Sequence, residues 1–225
     1  MFTGIIEAVG VIAASEELQG DLRLYVRTGD LDLSDVKLGD SIAVNGVCLT
    51  AVALPGDGFW ADVSRETLVH TRFPDLSPGE RVNLEKAMQP TTRFGGHIVT
   101  GHVDGLGEVI AIEEDARSIR FQIRAPATIA RYIAAKGSIT VDGVSLTANA
   151  VEGHVFDLNI VPHTAQETII ASYQSGRKVH LEVDIIARYM ERLINYSEGA
   201  DTNLTEPAGG VSMATLAAAG FLNRR

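Results

Sequence analysis

The sequence predicts an all-β chain built from two copies of one small sandwich or barrel. Three observations carry this. The chain repeats itself once at a constant offset of 97 residues, so that Gly4 aligns with Gly101, Gly46 with Gly143, Thr67 with Thr164 and Gly79 with Gly176. Each copy reads as short segments rich in Val, Ile and Thr, separated by turn signals. Each copy also centres on a tight hairpin dipeptide, Asn45-Gly46 in one and Asp142-Gly143 in the other, both suited to positive φ in a type I′ turn. The repeat runs without a gap from Thr3/Thr100 to Glu85/Glu182. In its best stretch, Ser41–Gly56 against Ser138–Gly153, 10 of 16 positions are identical. A period of this length is too long for a solenoid unit and fits a duplicated domain.

The elements follow in order. Gly4–Ala13 is a candidate strand, and Asp21–Arg27 alternates polar and apolar residues. Ser41–Val44 and Val47–Leu54 flank the Asn-Gly turn, and Phe59–Val63 and Arg81–Glu85 complete the set. Asp30–Leu38 and its counterpart Ala127–Ala135 read as helical, with Gly137 just past the end of the latter. The polar segments starting at Thr67 and Thr164 also read as helical turns. After the second copy, Ile186, Tyr189, Met190, Leu193 and Ile194 fall on one helical stripe, with Asp184 placed to cap it. A stripe without a third domain to cover it points to another subunit. Domains are expected at 1–97 and 98–185, then a helix at 186–196 and a polar tail at 197–225, within which Met213–Leu222 is a weak helix.

Composition bounds the function. At 225 residues, with 45% hydrophobic residues and a net charge of −10, the chain is globular and acidic. An acidic surface argues against nucleic acid or an anionic membrane as partner, since both reward clustered Lys and Arg. The lone Cys48 forms no internal disulfide, and no Cys/His cluster has zinc spacing. MFTGIIEAVG has no basic leader, and no apolar run reaches membrane-spanning length, so the cytoplasm is the expected compartment.

The chemistry-bearing residues sit at equivalent places in the two copies. Cys48-Leu49-Thr50 is matched by Ser145-Leu146-Thr147; on a strand the two polar groups share one face and Leu the other. Such a face suits a polar heteroaromatic ligand, and equally a small core residue beside β-forming threonines. His102 stands where the first copy has Ile5, a titratable group on one side only. Glu66 and His163 are equivalent, as are Gly39 and Lys136. The Gly-rich stretch Gly95–Gly107 opens no helix and is no dinucleotide fingerprint.

Taken together, MFTGIIEAVG, NGVCLT, GGHIVTGHV, DGVSLT and VPHT resemble the trimeric, two-barrel riboflavin synthases, in order and spacing, over residues 1 to about 196. The resemblance implies two tandem homologous six-stranded Greek-key barrels and a C-terminal trimerisation helix. It implies a cytoplasmic transferase of riboflavin biosynthesis that needs no cofactor or metal. In its reaction two molecules of 6,7-dimethyl-8-ribityllumazine dismutate by four-carbon transfer to riboflavin and 5-amino-6-ribitylamino-2,4-pyrimidinedione. The alternative is a non-enzymatic lumazine- or flavin-binding protein of the same fold; a third reading is a structural barrel trimer.

By resemblance, Gly4, Ile5 and Ile6, with Cys48, Leu49 and Thr50 and with Asp62, Val63, Ser64, Arg65, Glu66 and Thr67, line an N-terminal pocket. Gly101, His102 and Val103, with Lys136, Ser145, Leu146, Thr147, Ile160, Val161, Pro162, His163, Thr164 and Ala165, line the other. Phe2 orders the N-terminal segment at the site. His102 is the expected proton-transfer residue or nucleophile carrier. Cys48, Ser41 and Ser145 supply hydrogen bonds or help add the nucleophile, and Asp184 is an electrostatic helper. The site is expected to be completed between neighbouring subunits.

Overall fold

The structure, a computed structural model, describes residues 1–198. One compact unit holds residues 1–188 and a second begins at Tyr189. In the first half, strands β1 (Ala8–Leu18), β2 (Asp21–Arg27), β3 (Ser41–Val44), β4 (Val47–Ala53), β5 (Gly58–Val63) and β6 (Arg81–Lys86) close an antiparallel barrel in the order β1-β2-β5-β4-β3-β6. A short helix α1 (Arg65–His70) follows β5. The order is a Greek key, and closure removes both sheet edges.

The second half repeats the circuit. Its strands are β7 (Gly105–Asp115), β8 (Ser118–Arg124), β9 (Ser138–Val141), β10 (Val144–Thr147), β11 (Ala150–Glu152), β12 (Val155–Ile160) and β13 (Lys178–Val183). The counterpart of β4 is broken into β10 and β11, so the sheet runs β10-β9-β13-β7-β8-β12-β11. Helix α2 (Ala127–Ala130) precedes β9, α3 (Pro162–Glu167) follows β12, and α4 (Ile185–Glu198) follows β13. A bulge recurs at one place in the duplicated register, between Ile12 and Ala14 and between Val109 and Ala111. Bulges bend strands and increase twist, which lets a short sheet curl into a barrel.

Period-two alternation decides what each strand buries. On β2, Leu24 and Val26 are fully buried, and their neighbours face out. Phe59, Ile12, Ile42 and Leu84 fill the first core; Phe156, Leu158, Ile123 and Ile139 fill the second. Each such side chain contributes about 1.5–3 kcal/mol through burial.

The structure departs from the sequence reading in three places. The first strand starts at Ala8, because Gly4 adopts φ +77° and leads the preceding residues away from the sheet. Asp30–Leu38 is a run of turns. The Asp32 and Asp40 carboxylates accept the Ser34 and Lys37 backbone N–H groups, offering the chain an alternative to helical bonds. Only Ala127–Ala130 of the matching stretch is helical; beyond it Tyr132 and Ile133 make i→i−3 bonds. The segments at Thr67 and Thr164 form α1 and α3. The Asp184 carboxylate accepts the Ile186 N–H at 2.9 Å, a cap on α4. The reading of Met213–Leu222 as a weak helix lies outside the described residues.

The two hairpin turns meet. Asn45 and Gly46 have φ 46° and 79°, Asp142 and Gly143 have 44° and 82°, all positive as a type I′ turn requires. A Cβ on Gly46 would lie 2.7 Å from the Gly143 nitrogen, and the reverse holds equally. Around this contact the halves exchange hydrogen bonds with pseudo-twofold symmetry. The Asn83 amide donates to the Asp142 carbonyl and accepts the Ile169 N–H, both at 2.9 Å. At the equivalent place His180 Nδ1 bonds the Asn45 carbonyl at 2.9 Å and Nε2 accepts the Arg72 N–H at 2.8 Å.

Candidate functional site

The residues just before each barrel cross to the other barrel. The Gly4 carbonyl accepts the Ser145 N–H at 2.7 Å, and the Gly101 carbonyl accepts the Cys48 N–H at 2.9 Å. Neither glycine tolerates a side chain: a Cβ on Gly4 would sit 2.6 Å from Ser145 Cβ, and one on Gly101 2.6 Å from Cys48 Cβ. Ile6 packs on the second core and Val103 on the first. This corrects the grouping drawn from resemblance: Gly101–Val103 belong beside Cys48, and Gly4–Ile6 beside Ser145. The offset of 97 establishes which residues are equivalent, and equivalent residues need not share a barrel when both copies swap.

Two buried carboxylates hold the crossed segments. Glu85 accepts the Thr3 N–H at 2.6 Å, the Thr3 hydroxyl at 2.8 Å and the Gly4 N–H at 3.0 Å. Glu182 does the same for Thr100 and Gly101, at 2.6, 2.7 and 3.0 Å. Burial pushes both carboxyls above their ordinary range, and these hydrogen bonds work against the shift. Sequence reasoning passed over this pair. The available signal was an identical charged residue at the offset, on strands otherwise buried.

A cavity of about 260 Å³ opens at the first crossing. It is lined by Val47 and Cys48 from β4, by Glu66, Thr67, His70 and Thr71 from α1 and the residue after it, and by Gly101, His102 and Val103 from the crossed segment. Cys48 and Thr50 do share the outward face, with Leu49 in the core. The fully buried Phe2 ring backs the cavity: it clusters with Ala43 and Val99, with Cys48 packed against them, and its backbone pairs with Val99. Ser64 caps α1 by accepting the Thr67 N–H, and Glu66 bonds His70 at 3.2 Å one turn on. His70 was not anticipated; its place on α1, four residues after Glu66, is what brings it to the cavity.

The second crossing is chemically different. Ser145 Oγ lies 2.8 Å from Nδ1 of the buried His97. Burial lowers the His97 pKa and the charge of Asp184 opposes this, which places Asp184 within electrostatic reach of Ser145's partner. Thr147 is exposed on the same strand, and Pro162, His163, Thr164 and Ala165 form α3, with Val161 as the residue before it. Lys136 adopts φ 65°, where its counterpart Gly39 has 92°, and its Nζ reaches Asn149 at 3.5 Å. A lysine held in the left-handed region costs about 1 kcal/mol and is the kind of strain kept at functional sites. Lys136→Gly is expected to stabilise the fold by up to about 0.6 kcal/mol, net of the unfolded-state entropy a glycine adds. Thermal melts check it; a variant less stable than the parent would contradict it.

Other expected site residues are turned elsewhere. Val63 and Ile160 are buried in the cores, so with Leu49 they offer a ligand only backbone. The Asp62 carboxylate faces outward in a two-point pair with Arg23, at 2.6 and 3.0 Å. Arg65 bonds the Gly20 carbonyl and takes its backbone N–H to Asp21. Ser41 sits opposite Thr50 in the ladder and borders a separate cavity with Asp35, Lys86 and Met88.

Comparison with known proteins places the chain in a family. The lumazine binding domain family matches residues 3–87 and 100–184. A riboflavin synthase of Photobacterium phosphoreum is 53% identical over 222 residues, covering 99% of this chain and all of that protein. A riboflavin synthase of Bacillus subtilis is 41% identical over 91% of this chain and 95% of its own length. Among solved structures, LumP complexed with riboflavin superposes with a TM-score of 0.76, and LumP complexed with 6,7-dimethyl-8-(1'-D-ribityl) lumazine with 0.73. Each is 25% identical, covering 81% of this chain and 99% of the other. With two lumazine binding domains and near full-length identity of this order, the chain belongs to the riboflavin synthase family.

Proposed function

We propose that the chain dismutates two molecules of 6,7-dimethyl-8-ribityllumazine, passing a four-carbon unit from one to the other, to give riboflavin and 5-amino-6-ribitylamino-2,4-pyrimidinedione. The observation that carries this is the pair of crossed, related and unequal sites, on a chain that matches riboflavin synthases end to end. Two identical substrates call for two related sites; donor and acceptor roles call for unequal ones. The two lumazines supply every atom of the two products, so no oxidant or reductant enters. The 7-methyl proton is acidic because its carbanion delocalises into the ring. Holding the reactants face to face then supplies on the order of 7–11 kcal/mol.

His102, beside Cys48 in the first cavity, is the proton-transfer group, with Cys48, Ser41 and Ser145 as hydrogen-bonding groups and Asp184 as the electrostatic helper. Asp184 also caps α4, and Ser41 would meet a ligand only from its separate cavity. The domains are read as 1–97 and 98–185, followed by a helix over 186–196. The active form is a homotrimer: Tyr189, Met190, Leu193 and Ile194 on α4 are each more than half exposed, an apolar face of the kind a second subunit covers. Among the described residues no helix is long and apolar enough to cross a membrane, and the cytoplasm is the compartment proposed.

One preparation tests these points. The protein mixed with the lumazine alone should form one riboflavin per two lumazines consumed, followed by absorbance in the blue, and should sediment at three times the 24.1 kDa chain mass. Binding without product would favour a lumazine- or flavin-binding protein, the reading that the LumP likeness supports at 25% identity. A monomer that makes riboflavin would refute the trimer.

A further inference from the structure

His97 is the buried titratable group that the reading above leaves without a job. The residue is 7% exposed, Nδ1 lies 2.8 Å from Ser145 Oγ, and Nε2 is buried with no hydrogen-bond partner among the described residues. An orphaned buried polar atom needs an account. Gly96 permits the approach: a Cβ there would fall 2.0 Å from the Thr3 carbonyl oxygen and 2.9 Å from Ser145 Oγ. Among the described residues, no histidine is hydrogen-bonded to Cys48, the counterpart of Ser145. The arrangement therefore marks one site and not the other.

Burial lowers the His97 pKa and so favours the neutral imidazole, which has two tautomers. With the proton on Nε2, a buried N–H would have no acceptor. With the proton on Nδ1, only a lone pair is left over. Orphaned buried N–H groups are the rarer of the two in proteins. The second tautomer also fixes the serine. Ser145 Oγ then accepts from Nδ1–H, and its own proton is free to donate elsewhere. Its backbone N–H is already committed to the Gly4 carbonyl.

We infer that His97 is a positioning residue that turns the Ser145 hydroxyl proton toward the ligand of the second site, where it donates to a carbonyl oxygen or ring nitrogen of the bound heteroaromatic. The inference rests on the lumazine reading for the identity of that ligand, and not for the hydrogen bond itself. It gives the two sites different polarity: one presents a serine locked as a donor, the other a thiol free of such a lock.

The test uses the full chain and four variants: His97→Phe, His97→Asn, Ser145→Ala and the double His97→Phe/Ser145→Ala. Asparagine places an amide N–H near the Nδ1 position; phenylalanine keeps the ring and removes the donor. The expected result is that His97→Phe and Ser145→Ala each raise KM for the lumazine, and Kd for riboflavin, about tenfold. The double variant should be no worse than either single one, and His97→Asn should lie within about threefold of the parent. Additive losses, or no recovery in His97→Asn, would overturn the inference. Nitrogen-15 imidazole spectra read the tautomer directly, whatever the enzyme does. A proton on Nδ1 supports the inference and a proton on Nε2 sinks it. A parent protein that binds riboflavin yet forms none would end the synthase reading and leave this one to be judged by Kd and tautomer.

Discussion

Gly101→Ala loses turnover by on the order of a hundredfold or more, while its strands remain folded. Its Cβ would meet Cys48 Cβ at 2.6 Å, the Cys48 nitrogen at 2.9 Å and the Phe2 ring at 3.0 Å, two of them parts of β4 that cannot step aside. The backbone there has φ +81°, which a side chain adopts only at a cost of about 1–2 kcal/mol. The crossed segment must retreat from β4, carrying His102 and Val103 with it. A displacement near 1 Å from a productive arrangement can cost about a hundredfold in rate. Gly79→Ala is the matched control, with φ +96° and nothing within 4 Å of the added carbon; it bears the same kind of strain and should keep full activity. Riboflavin formation, with alkylation of Cys48 as a reporter on the cavity, reads the result. Gly101→Ala activity within threefold of the parent would remove the crossed segment from the site. His102→Ala should lower turnover far more than lumazine affinity, since it leaves the segment in place and deletes only the titrating group.

The second large effect is on stability. Asp142→Ala is expected to cost about 3–5 kcal/mol, because it leaves buried donors without an acceptor. Asp142 is 1% exposed, accepts the His180 N–H at 2.7 Å and the Tyr173 hydroxyl, and stands at the contact between the hairpin turns. For a chain of this size each kcal/mol is worth roughly 2–4 °C in melting temperature, so a fall of about 6 °C or more is expected. Asp142→Asn, which copies Asn45 of the first half, should lose much less. Equal melting of the Ala variant and the parent would mean that the network does not hold the halves together.

The same network carries a pH signature. Burial depresses the His180 pKa, with Asp142 and the Asn45 carbonyl opposing and Arg72 and Arg177 reinforcing the shift. With the folded pKa below the unfolded one, the unfolded chain binds more protons as pH drops below about 6.5. Stability tied to His180 is thus complete above that pH and is lost on acidification, by up to about 1.4 kcal/mol per unit. Glu85, Glu182 and Asp104, raised by burial, act with the opposite sign and are common to parent and variant. The stability gap between the parent and His180→Asn should therefore narrow between pH 7.5 and 5.5. A constant gap would show that His180 is not proton-linked to folding.

Much of the fold is legible in one dimension because its causes are local. Alternation set the faces of β2 and β4, and Asn-Gly and Asp-Gly committed both hairpins to type I′ turns. The unbroken offset established the duplication. The helical reading over Asp30–Leu38 failed and that over Ala127–Ala135 held only for Ala127–Ala130, where aspartate side chains in the first and short i→i−3 bonds in the second outcompeted a regular helix. Of the candidate site, the set of residues was readable and the partnership was not. Gly4 reads as the start of a strand and Gly101 as its counterpart, yet each is glycine because another barrel's strand lies against its Cα. By itself the sequence determined two equivalent β units, the face on which Cys48 and Ser145 stand, and the family. Tertiary structure alone decided that the segments cross, that Glu85 and Glu182 hold them, and that His97 reaches Ser145. The physical reason is that each of these contacts joins residues dozens of positions apart through backbone approach and buried hydrogen bonds, which leave no periodic trace along the chain.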